Sequence, residues 1–537
     1  MEAYSFHNNE GNNMTAKGRK FVIDIPRIMA IFIAGLLTLP AYAKYQDTSY
    51  LVLLNQNGKQ SKNFSKDVTQ AGGTVKVIID EIGVAFVSSS NPDFKSTLAG
   101  ARGVQSVAYS LPALKREDII ALQAPQVETA QLGENEFWRP LQWGLDAVNA
   151  PQAWAVGATG SGVRVAVLDS GIDHDHVDLA PNLNTALSTS FVPCEDVYVP
   201  ALDGYVPNPN CDGDFEDWRV RETDDFAYDG GWFFNHGTHV AGIIAAADME
   251  GLGQVVGVAP EAEIVAIKVC TEFSTWCNDE ATLQGIVYAA EIDSDIMNLS
   301  IGGLLDRNPR EICRQIRDED LPTPCGEVVS SMQMLHNAYR RAFQYANRHD
   351  TTVIVAAANN GLDADHTGSQ FFQFTDYPNV LGISALGPIG IALPAMEDPA
   401  GDAPTEPVAG PDTLASYSNY GRSIIDFGAP GGNADLYYGL TDPDATICER
   451  SGIYLPCHWF DLVVSDNVGG SIYFAAGTSM AAPHAAGVAA IIVGLNGGDM
   501  APQQLRTAMK RYADDLGTPG HDEAYGDGRV NAGAATE

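Results

Sequence analysis

The sequence predicts an α/β protein: a doubly wound, mostly parallel sheet with helices on both faces, preceded by a small α+β unit. Three observations carry that expectation. Runs at 163–168 and 352–358 are short and mostly apolar, the pattern of parallel strands buried on both faces. Runs at 243–247 and 485–493 are built of small apolar residues all round, as in helices sunk in a large core. Between residues 50 and 112, strand-like and helix-like stretches alternate in a compact βαββαβ order.

The elements can be justified in chain order. Lys17, Arg19, Lys20 and Arg27 precede an apolar run at 28–37, and Ala41-Tyr42-Ala43 supplies a small-x-small cleavage pattern. The run is too short for a good membrane span, so residues 1–43 read as an export signal removed after Ala43, with an uncleaved anchor as the alternative. Strands are expected at 50–54, 74–79, 84–87 and 104–108, and helices at 62–71 and 93–99, which gives a ferredoxin-like fold for 44–115. Residues 116–140 are polar, lack sustained periodicity and read as a linker, and 141–537 form the main domain.

Chemistry collects at the ends of the apolar runs. The strand at 163–168 ends in Asp169, and in open α/β sheets ligands bind beyond the carboxyl ends of strands. His236-Gly237-Thr238-His239 opens one small-residue helix, and Gly477-Thr478-Ser479-Met480 opens the other. A serine there meets unpaired backbone N–H groups and the positive end of a helix dipole, an environment suited to a developing oxyanion. The order Asp, His, Ser is one of the known chain orders of the serine–histidine–acid triad.

These motifs resemble the subtilisin family of serine endopeptidases, from about Gln142 to the C-terminus. The resemblance implies that Ser479 is the nucleophile, His236 the general base and Asp169 its orienting acid. It also implies that Asn359, in Ala358-Asn359-Asn360-Gly361, donates to the oxyanion, and that His239 and His484 are structural. Family members usually carry Gly where this chain has Ala358. Ser300, Ile301, Gly302 and Gly303 resemble the segment that pairs with substrate backbone. Asp178 matches a position that often ligates calcium, so a structural calcium is expected alongside chemistry that requires no cofactor. The unit at 44–115 is similar to the inhibitory propeptide of the family and is expected to be the enzyme's own intramolecular inhibitor. Its segment 50–112 has a net charge of +2, complementary to an acidic partner domain.

Composition narrows the alternatives. The net charge is −37, and only Lys268 and Lys510 follow Lys115 among the lysines, which argues against nucleic acid as a partner. All eight cysteines follow position 190 in close pairs: Cys194 and Cys211, Cys270 and Cys277, Cys313 and Cys325, Cys448 and Cys457. Nearest-neighbour disulfides in an exported chain are the preferred reading. The expectation is a secreted, monomeric endopeptidase of broad specificity acting on proteins or peptides through an acyl-enzyme, with no stable membrane span. The rival is a binding scaffold on a protease fold, or a protein that processes only itself. An esterase would want Gly-x-Ser-x-Gly, and the second glycine is missing after Ser479.

Overall fold

The computed structural model describes residues 48–537 except 56–62, 112–113, 116–119, 124–137, 195–196, 200–203, 207–210, 213–214, 221–234, 249–253, 272–275, 307, 309, 311–312, 315–323, 395–407 and 437–446. The expected export signal and most of the linker therefore lie outside the described residues.

The N-terminal unit has the expected order: β1 (Thr48–Leu54), α1 (Phe64–Gln70), β2 (Thr74–Ile79), β3 (Val84–Ser89), α2 (Phe94–Ala99) and β4 (Val104–Tyr109). Its strands form an antiparallel sheet in the order β2-β3-β1-β4. Successive side chains of a strand point to opposite faces, and β1 uses both. Tyr50, Val52 and Leu54 pack with Phe64, Val68, Phe94 and Leu98 of α1 and α2. Leu51 and Leu53 point the other way and join a cluster that includes helices of the main domain. β5 (Leu114–Lys115) closes the 44–115 unit, and β6 (Ile120–Gln123) occurs within 116–140, where no periodicity announces it.

The main domain supplies β7 (Arg164–Asp169), β8 (Thr189–Ser190), α3 (His236–Ala245), β9 (Glu263–Lys268), β10 (Trp276–Cys277), α4 (Asp279–Glu291), β11 (Ile296–Leu299), β12 (Gly303–Asp306), α5 (Val328–Arg348), β13 (Thr352–Ala356), β14 (Gln370–Gln373), β15 (Val380–Leu386), β16 (Phe427–Pro430), β17 (Val463–Asn467), β18 (Ser471–Ala476) and α6 (Thr478–Leu495). Seven of these strands make the parallel sheet β16-β15-β13-β11-β7-β9-β8. Alternation again divides the faces. Val165 and Val167 of β7 join a core with α3 and α6, whereas Ala166 and Leu168 join the core with α4 and α5.

Small residues in α6 are needed because it runs through the protein's centre. A Cβ at Gly487 would lie 2.5 Å from Val258 Cβ. Among the described residues α6 is also the helix long and apolar enough to cross a bilayer, but 89% of it is buried inside the protein. It is a core helix.

Three of the four expected disulfides are present: Cys194–Cys211, Cys270–Cys277 and Cys448–Cys457. The fourth is not. Cys313 and Cys325 are thiols, each with its sulfur 3.5–3.6 Å from the other's backbone carbonyl.

Candidate active site

Asp169 is the last residue of β7, and its backbone carbonyl is held by the N–H groups of Val269 and Cys270 at the end of β9. Beyond the strand the chain turns, and the carboxylate accepts the Ser170 N–H at 2.7 Å. His236 opens α3. Its position is fixed by Asn235, whose side-chain oxygen caps the helix by accepting the Thr238 N–H at 2.7 Å. The Asn235 amide also donates to the Ser170 hydroxyl at 3.3 Å, and that hydroxyl accepts the Gly237 N–H at 3.1 Å. Strand end and helix start are thus tied together. His236 Nδ1 consequently lies 2.8 Å from both Asp169 oxygens, and the two side chains are 5% and 1% exposed. A carboxylate against Nδ1 holds the proton there, which makes Nε2 the basic nitrogen of the neutral ring.

Ser479 is the second residue of α6 and is buried. The helix carries Pro483 inside it, and proline has no N–H to give to the carbonyl four residues earlier. That carbonyl belongs to Ser479, and it accepts the Ser300 hydroxyl instead, at 2.8 Å. The Ser479 hydroxyl in turn donates to the Ser300 carbonyl at 3.0 Å. Ser300 follows β11 directly, so this reciprocal pair ties the serine helix to the sheet. α6 also packs on α3 and on β7, the elements bearing His236 and Asp169.

Asn359 follows β13. Its side-chain oxygen accepts both the N–H and the hydroxyl of Thr478, each at 2.8 Å. The NH2 end of the amide is thereby turned away from Thr478, one residue before Ser479. A residue with no motif signal holds this turn: buried Asn419 donates to the Ala357 carbonyl at 2.9 Å and accepts the N–H groups of Asn360 and Leu362. Ala358 lies between these contacts with φ +70°, in the left-handed region where glycine is at home.

Ser300 and Ile301 are buried, and Gly303 begins β12, which pairs antiparallel with β14. A Cβ at Gly303 would meet nothing within 4 Å, and one at Gly302 would meet only ordinary contacts, including Ala358 Cβ at 3.5 Å. The protein itself leaves room at both positions.

The remaining histidines of the motifs each lie against a backbone carbonyl. His239 Nε2 is 3.1 Å from the Tyr473 carbonyl, and burial pushes its pKa down to about 3. His484 Nδ1 is 2.8 Å from the Met480 carbonyl, with burial lowering it to about 4. Asp178 accepts the N–H groups of Gln254 and Val255 and sits in a buried group with His176 and Asp466. His176 Nδ1 accepts the Asp178 N–H at 3.2 Å. Among the described residues this set offers an imidazole and two carboxylates, one already bonded to N–H groups. It does not fit the all-oxygen shell of six to eight ligands that calcium takes.

The subtilase family model matches residues 160–528, a span containing every candidate residue above. The chain belongs to the subtilase family. The family consists of serine endopeptidases, and this subtilase is 25% identical over 491 residues to fervidolysin of Fervidobacterium pennivorans, covering 88% of the chain and 56% of that protein. It is 24% identical over 403 residues to thermitase of Thermoactinomyces vulgaris, covering 75% of the chain and 98% of thermitase. In fold it is similar to the crystal structure of an epidermin leader peptide processing serine protease from Staphylococcus aureus. That match has a TM-score of 0.64 and 18% identity, over 91% of this chain and 97% of that one.

Proposed function

We propose that this subtilase is a secreted, monomeric endopeptidase that hydrolyses proteins or peptides through Ser479, His236 and Asp169. The observation that carries the reading is the 2.8 Å contact of His236 Nδ1 with the Asp169 carboxylate, placed beside the helix that begins at Thr478. The Ser479 hydroxyl leaves the Ser300 carbonyl and passes its proton to His236 Nε2 as Oγ bonds to the scissile carbon. Asp169 stabilises the imidazolium. The Asn359 amide and the Ser479 N–H donate to the oxyanion. The imidazolium then protonates the leaving amine as the C–N bond breaks, and water, deprotonated by His236, hydrolyses the acyl-enzyme. Residues 300–303 take the substrate backbone as an added strand, which is tolerant of sequence and supports broad specificity. The unit at 44–115 acts as the inhibitory propeptide, and residues 1–43 direct export.

A fluorophosphonate probe should label Ser479, identified by peptide mass spectrometry, and Ser479→Ala should lose both the label and casein hydrolysis, by about 10⁶-fold in turnover. Labelling that persists at another residue would refute the assignment. No step is assigned to calcium. Because the described donors around Asp178 suit that ion poorly, a chelator should leave the thermal midpoint unchanged. A fall of several degrees would mean that further oxygens complete a site.

A further inference from the structure

The amino ends of the parallel strands form a second concave surface, at the far end of the sheet from Asp169, Ser300 and Asn359. A cavity of about 460 Å³ opens there. Arg164 and Glu263 line it from the first residues of β7 and β9. Asp295 lines it from just before β11, and Asp350 from the turn between α5 and β13. Asp293 comes from the turn after α4, and Asp499 from the loop after α6. Asp169 is the opposite end of β7 from Arg164, so roughly 17 Å of strand separates this cavity from the catalytic end.

The charge of this cavity is lopsided. Five carboxylates line it, against Arg164 and His349. The Arg164 guanidinium is engaged by Glu263 and by the Ile292 carbonyl, and Asp295 accepts the Arg164 backbone N–H at 2.8 Å. His349 packs on Tyr345 with ring centroids 4.2 Å apart. Among the described residues no cation pairs with Asp293, Asp350 or Asp499. α4, α5 and α6 all end on this side, at Glu291, Arg348 and Leu495, and the carbonyl end of a helix favours positive charge. A second observation comes from deeper in the wall. Ser294 lines the same cavity at 2% exposure, and its hydroxyl has no hydrogen-bond partner. A buried hydroxyl left unbonded is costly, and a donor entering the cavity satisfies it. The carboxylates do not converge as the ligands of a metal ion do. Among the described residues, no three of them bring oxygens within 4.8 Å of one another. Separated carboxylates suit a ligand whose own charges are separated.

We propose that this cavity binds a linear aliphatic polyamine. Its ammonium groups meet Asp293, Asp350 and Asp499, and one ammonium N–H donates to the Ser294 hydroxyl. The methylenes between them lie against Val163 and Met500, which line the same cavity. The volume suits a small organic cation held in a cleft rather than a folded partner. No residue of the cavity takes part in the proposed peptide hydrolysis, so the two assignments stand or fall separately. The two ends of the sheet then serve opposite charges. Helix N-termini face the proposed oxyanion at one end, and helix C-termini face a cation at the other.

The test is calorimetric titration of spermidine into full-length Ser479→Ala protein, at about 150 mM salt so that diffuse attraction is screened. One spermidine should bind per chain, and the thermal midpoint should rise with its concentration. Asp293→Asn combined with Asp350→Asn should weaken binding roughly ten-fold, and Ser294→Ala about three-fold. Neither aspartate is in an ion pair, so a cooperative melt without ligand at or above the parent midpoint confirms that the double variant is folded. Asp67→Asn combined with Asp93→Asn, on the N-terminal unit, should leave the affinity unchanged. Equal weakening by the two pairs would reduce the effect to the pull of an acidic chain on any polycation and overturn the inference. Undiminished binding in Asp293→Asn/Asp350→Asn, or no binding to the parent, overturns it as well. Displacement of spermidine by equimolar magnesium or calcium would make the cavity a metal site instead. Tighter binding of a lysine-rich peptide would give it to a protein partner. Failure of fluorophosphonate to label wild-type Ser479 would end the catalytic reading and leave this one intact.

Discussion

The two sheets of this protein bury their faces by different means. In the seven-stranded sheet both faces are covered by helices of the same domain: α3 and α6 on one side, α4 and α5 on the other. The four-stranded N-terminal sheet owns only two short helices, and they cover one face. Its other face, with Leu51, Leu53, Val84 and Phe86, is covered by α4 and α5, among them Ile286, Tyr339 and Ala342. The main sheet is therefore covered by its own domain, while the N-terminal unit borrows half of its core. A unit of that kind docks firmly, and separation exposes an apolar face on each partner. Under the function proposed above, this shared face is what would let the N-terminal unit act as both inhibitor and folding template.

Phe86→Ala gives the largest break in that comparison. Truncating a buried Phe costs about 3–5 kcal/mol, and here the loss falls on the borrowed face. In a Ser479→Ala background, hydrogen exchange at residues 48–109 should accelerate by two orders of magnitude or more, with the amides of β7 and α6 unaffected. Equal acceleration in both regions would show that the two sheets open as one unit.

A smaller effect is expected at Arg341, which reaches from α5 into the N-terminal unit. Its guanidinium donates to the backbone carbonyls of Leu54, Ile82 and Gly83 at 2.9–3.1 Å and to the side chain of Gln105. Burial holds its pKa below the usual arginine value. Hydrogen bonds from a charged donor contribute about 1.5–3 kcal/mol, so Arg341→Ala should speed exchange in 48–109 by roughly ten-fold to a hundred-fold. Lys95→Ala, which removes a half-buried single ion pair with Glu327, should do less. Similar effects from the two would assign the docking to long-range charge rather than to the carbonyl clamp.

Legibility in the sequence divides along the same line. Asp169, His236, Ser479 and Asn359 stand out as candidates because each lies where an apolar run stops, and a polar residue at such a boundary is conspicuous. The strands of the N-terminal unit were readable from their alternation. What could not be read are contacts between distant segments. Asn419 braces the turn at Asn359 through Ala357, 62 positions away, and nothing in Ser418-Asn419-Tyr420 marks it. Asp466 carries no motif signal, yet strand β17 brings it to His176 and Asp178. The pairing of β6 with β18 lacks any local signal, since main-chain bonds to a waiting edge impose no pattern on side chains. Ala358 was visible as a departure from the family, but its cost depends on a backbone angle that only the fold reveals.

That cost sets up the smallest prediction. An L-residue in the left-handed region pays about 1–2 kcal/mol relative to the right-handed one, and Ala358 at φ +70° has no side-chain hydrogen bond to repay it. Glycine removes the strain but loses more freedom on folding, about 0.5–1 kcal/mol. The balance favours Ala358→Gly by roughly 0.5–1 kcal/mol, visible as a rise in the urea midpoint at constant slope. The methyl also lies beside Gly302, so its removal widens the space between the two segments proposed to flank the substrate. If Ala358 is there for selectivity, Ala358→Gly should raise kcat/KM for peptides with a large residue before the cut more than for those with a small one. A stability gain with no change in selectivity would assign the methyl to neither substrate nor fold.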